Sequence, residues 1–92
     1  MNSSDAEKVL QMQQLVRGVS RRIAEVTEDC KQPISLTSKQ ILLNELSDFM
    51  RIQQLEAAEL RVQITSSQEA FDAFAALESK LQQIARLIKR LT

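Results

Sequence analysis

The chain reads as an all-α protein, an antiparallel bundle of three helices with coiled-coil-like packing, and three observations predict it. Three segments repeat apolar residues at alternating three- and four-residue steps, two breaks separate them, and the segments are nearly equal in length. The first seam is faultless: Val9, Met12, Val16, Val19, Ile23, Val26 and Cys30. In a chain that is 43% apolar, seven preset positions would all be apolar by chance roughly 0.3% of the time, or about 2% over seven registers, so the pattern is selected.

The first helix is expected over residues 5–30, with Ser3 or Ser4 as N-cap and Asp5 and Glu7 at its positive end. Gly18 is its weak point; it either admits another helix closely or is simply tolerated, at about 1 kcal/mol relative to Ala. A loop over 31–36 follows, because Pro33, the only proline, removes a backbone donor and pushes Gln32 out of helical space. The second helix, 37–64, opens with a capping box of Thr37 and Gln40 and a hydrophobic staple of Leu36 on Ile41. Its seam runs Leu43, Leu46, Met50, Gln53, Ala57, Leu60, Ile64.

Thr65, Ser66 and Ser67 then favour a turn over 65–67, with Ser66 and Glu69 as a second capping box. The third helix, 67–91, carries Ala70, Phe74, Leu77, Leu81, Ile84, Ile88 and Leu91, with Lys89 and Arg90 near its negative end. Neither Gly nor Pro intervenes between 37 and 91, so the alternative is a two-helix hairpin with one long C-terminal helix. A continuous seam would have to slip by one residue to join the third, which favours the break. Three segments of about 26, 27 and 25 residues, each about 40 Å long, suit a single helical domain over residues 1–92.

Composition narrows the function classes. Twelve basic and twelve acidic residues cancel, and each third of the chain is nearly balanced, so no strong field points to nucleic acid or anionic lipid. There is no His, Trp or Tyr, which removes the commonest general base and metal ligand together with the best stacking platforms. An enzyme is not expected, and neither a cofactor, a metal nor a small-molecule substrate is. One glycine excludes a phosphate-cradling loop, and one cysteine, Cys30, excludes an intrachain disulfide. Glu25, Glu28 and Asp29 lack the ligand alternation of a calcium loop. Without a classical signal peptide or a long apolar run, the expected location is the cytoplasm, with the nucleus as a second option.

The informative anomaly is in the second helix. Assigned heptad letters, the first helix carries Val9, Val16, Ile23 and Cys30 at a and Met12, Val19 and Val26 at d, and β-branched residues at d favour packing of three or more helices over a parallel pair. In the second helix Ile41, Ile52, Leu55 and Val62 fall at f, c, f and f, nearly opposite its seam. Two apolar faces imply two burials. Three readings follow: a greasy exposed face, a partner-binding surface formed by Ile41, Ile52, Leu55 and Val62, or a bundle in which the second helix lies centrally. Gln53 either sets register or lies at a wet edge.

The expectation is a non-catalytic interaction module that binds partner helices through apolar seams, homo- or hetero-oligomeric and not monomeric when isolated. In general character it resembles small helical subunits, adaptors and chaperones. The alternative is a small helical regulator that binds nucleic acid through Arg21, Arg22, Arg86, Lys89 and Arg90. The C-terminal segment is amphipathic enough to lie on a membrane, but its Phe71, Phe74, Leu77 and Leu81 are more cheaply explained as bundle core, and a membrane partner is not expected.

Overall fold

The computed structural model describes residues 3–64 and 67–92 and contains three helices: α1 (Ser3–Asp29), α2 (Leu36–Gln63) and α3 (Gln68–Leu91). Each seam turns inward as its spacing requires. Val9, Met12, Val19, Val26, Leu46, Ala57, Leu60, Ile64, Ala70, Leu77, Leu81 and Ile84 are buried, and Val16, Ile23, Met50, Phe74 and Ile88 pack half-buried around them. The molecule is 50 Å long and only 19 × 16 Å in cross-section, so the helices lie side by side. Clefts that join the first halves of α1 and α3, and the second half of α2 to α3, show that α1 and α3 run parallel and α2 antiparallel to both.

The helix boundaries correct the sequence reading in three places. At the start of α2 the N-cap is Ser35, not Thr37: Ser35 is extended (φ −67°, ψ 159°) and its Oγ accepts from the Ser38 N–H at 3.1 Å. The Ser35 carbonyl accepts from Lys39 N–H at 2.9 Å, so the helix starts two residues earlier than a cap at Thr37 would set it, and Ser is the better cap. Leu36 is thereby the first helical residue and stands in solvent, so the staple on Ile41 is not made. At α3 the cap is Ser67, whose Oγ accepts from Ala70 N–H at 3.3 Å; the expected box on Ser66 lies outside the described residues. At the N-terminus Ser3 is already helical, so neither Ser3 nor Ser4 is the cap, and the residue before them lies outside the described residues.

The break between α2 and α3 rules out the long-hairpin alternative. Ile64 is extended (φ −81°, ψ 127°) and its N–H turns back to the Arg61 carbonyl at 3.2 Å. Its side chain is buried, which anchors the turn on the core. Arg61 stacks over the rings of Phe71 and Phe74 at 5.0 and 5.8 Å, tying the two sides of the turn by cation–π contact.

The central element is α3, which packs extensively on α1 and on α2, whereas α1 and α2 pack least closely on each other. The reading with α2 at the centre is therefore corrected. The physical reason lies in the aromatic and aliphatic side chains of α3: Phe71 and Ala73 flank the seam that Phe74 belongs to and widen the apolar surface enough to meet two neighbours.

Candidate functional site

Because α3 satisfies both neighbours, the second apolar face of α2 is left in solvent. Relative exposure is 53% at Ile41, 51% at Ile52, 62% at Leu55 and 81% at Val62, with Leu36 at 83%. These residues fall on two adjacent lines along the helix, each with a seven-residue repeat. Ile41, Asp48, Leu55 and Val62 form the outer line; Glu45, Ile52 and Glu59 form the line beside α1. The structure thus brings the four predicted side chains onto one surface about 30 Å long at 1.5 Å per residue. Leu36, near the helix start, lies off both lines, and Leu10 is a solitary exposed residue on α1 of the kind folded proteins commonly carry.

Acidic groups interrupt this stripe, and the two halves treat them differently. Glu45 meets Arg22 of α1 at 3.3 Å, and the same guanidinium reaches Glu25 at 3.3 Å. Asp48 pairs with Arg51 at 3.1 Å. In the second half, Glu56 and Glu59 have no ion-pair partner among the described residues. They line an open cleft of about 580 Å³ between α2 and the Lys8, Gln11, Gln14 and Leu15 side of α1.

This valley was not anticipated from the sequence. It exists because α1 and α2 pack least closely on each other, and Gly18 falls on the same side of α1 as Gln11, seven residues earlier. A Cβ added at Gly18 would meet nothing within 4 Å, so no helix of this chain makes use of its small size. At the other end of the valley Ile34, Ile41 and Leu42 line a second cleft with Glu28, Asp29 and Glu45. The seven-residue spacing of Glu45, Ile52 and Glu59 was the available signal.

Gln53 sits half-buried in the α2 seam, and its side chain makes no hydrogen bond among the described residues. Cys30 is a free, half-buried thiol just beyond α1, and its N–H donates to the Val26 carbonyl at 2.9 Å. The basic residues do not converge on one site. Arg22 is held toward α2 by Glu45, whereas Arg86 and Arg90 line a cleft with Ile23 and Thr27 on the α3 side of α1. Charge is sorted along α3, with Glu69, Asp72 and Glu78 before Lys80, Arg86, Lys89 and Arg90, which suits the helix dipole. Antiparallel α2 sets Glu56 and Glu59 at the acidic end.

Among the described residues no group of three or more His, Cys, Asp or Glu side chains is arranged to hold a metal ion, and no helix is long and apolar enough to cross a membrane. No protein-family model matches the chain, and no curated protein or solved structure matches it.

Proposed function

We propose that the protein is a non-catalytic helical interaction module, a small subunit, adaptor or chaperone, that binds a partner helix on the outer face of α2. The observation that carries this reading is the row of Ile41, Ile52, Leu55 and Val62, each more than half exposed although the core is already filled. Exposed apolar side chains aligned on one helix face mark interaction surfaces more often than scattered ones do. The mechanism is helix-in-groove association: the partner's apolar stripe buries this row, and the polar side chains beside it set register. Burying four such side chains would supply several kcal/mol before the costs of association are met, at roughly 1.5–3 kcal/mol for complete burial of each.

The test is affinity capture of the tagged chain from its own cell, run beside the Ile52→Glu/Leu55→Glu variant. Proteins held by the wild-type chain and lost from a folded variant identify the partner. An identical captured set would remove the α2 face from consideration. The nucleic-acid alternative predicts salt-dependent binding that Arg86→Ala/Lys89→Ala/Arg90→Ala weakens, with a slope that falls as phosphate contacts are removed.

A further inference from the structure

We infer that the occupant of the α2 face is an amphipathic helix of a different protein, with Lys or Arg placed against Glu56 and Glu59, and is not a second copy of this chain. The inference rests on the helix-binding reading above and adds the chemistry of the partner. On the two lines of the stripe, Glu45 and Asp48 are neutralised within the chain by Arg22 and Arg51. Among the described residues, Glu59 on the stripe and Glu56 beside it have no ion-pair partner. Lys8 lines the same cleft and forms no ion pair with either. A helix laid over Ile52, Leu55 and Val62 therefore covers two unanswered carboxylates, and desolvating them without a counter-charge is costly.

A second copy brings no net counter-charge in either orientation. A parallel pair would place Glu59 against Glu59 of the other copy. An antiparallel pair centred on Ile52 and Leu55 would place Glu59 against Asp48 and Glu56 against Arg51, a guanidinium that Asp48 already holds, so the paired faces stay net negative. Like charges across an interface oppose association and act as a filter on partner choice. Under this assignment the isolated chain is a monomer, which departs from the expectation of self-association.

The experiment uses the full chain and two synthetic helices of about 21 residues, long enough to span the stripe. Both carry Leu at alternating three- and four-residue steps; one has Lys at the flanking positions and its twin has Glu there. Binding is followed by fluorescence anisotropy, and the chain alone is examined by sedimentation equilibrium. The Lys helix should bind at least about tenfold more tightly than the Glu helix, Glu56→Lys/Glu59→Lys should reverse the preference, Ile52→Ser/Leu55→Ser should weaken binding of the Lys helix, and the chain alone should be a monomer. Equal affinities that the Ser variant abolishes would overturn the charge assignment while leaving the helix-binding reading intact. A wild-type dimer that the Ser variant dissociates would do the same, with a second copy as the occupant. Lys-selective binding that ignores the Ser variant would place the contact elsewhere and overturn the inference. If neither helix binds and the chain is monomeric, both readings fall.

Discussion

Helices α3 and α2 are of similar length, yet they use their apolar residues differently. In α3 the large apolar side chains gather on one side, where Leu77, Leu81 and Ile84 are buried and Phe71, Phe74 and Ile88 pack around them. In α2 they are divided: Leu46 and Leu60 face inward with Phe49 and Met50 packed beside the core, while Ile41, Ile52, Leu55 and Val62 face out. Burial in the bundle accounts for every large apolar residue of α3 and for about half of those in α2. A bundle this small does not leave a row of Ile, Leu and Val in water for its own stability, and the comparison separates what holds the fold from what is left exposed.

The sharpest test of that separation is a pair of truncations. Leu77→Ala removes a fully buried side chain at the centre of α3 and should cost about 3–4 kcal/mol in denaturant unfolding, a large share of the stability available to a domain of this size. Leu55→Ala on the outer face of α2 should lie within about 0.5 kcal/mol of wild type. Equal losses at both positions would break the comparison.

A smaller effect is expected at the boundary between the two helices. Ser67→Ala removes the oxygen that accepts from Ala70 N–H and should destabilise by about 1 kcal/mol. A stabilised variant would mean that α2 and α3 are continuous in solution, since Ala is the better helix former.

The smallest effect has the opposite sign. Gly18→Ala adds a methyl group where nothing lies within 4 Å, and it should raise stability by up to about 1 kcal/mol through helix propensity and a less flexible unfolded chain. A loss of stability would show that Gly18 sits against a neighbour, and that the valley beside α2 is closed.

These expectations also show how much the sequence disclosed. The seams were legible because burial on a helix follows a 3.6-residue period that the eye can count, and Val9 to Cys30 or Ala70 to Leu91 lie where that period puts them. The outer row of α2 was legible for the same reason. Cap positions were harder to read: Ser35, Thr37, Ser38, Ser66 and Ser67 are all competent hydroxyl donors and acceptors, and choosing among residues one or two apart depends on backbone geometry that composition does not encode. The centrality of α3 depends on how widely each apolar face spreads once side chains pack, and the sorting of charge toward two ends depends on chain direction. Both emerge only when the three segments, each nearly neutral, are laid side by side.

The most direct test of the two-face account is the thermal unfolding of Ile52→Glu/Leu55→Glu followed by circular dichroism. If the outer row of α2 serves a partner and contributes nothing to the core, the variant keeps its helicity and its midpoint stays within about 3 °C of wild type. If those side chains belong to the packed interior, two carboxylates without counter-charges would be forced out of water. The variant would then be unfolded at room temperature, and that result would contradict the account.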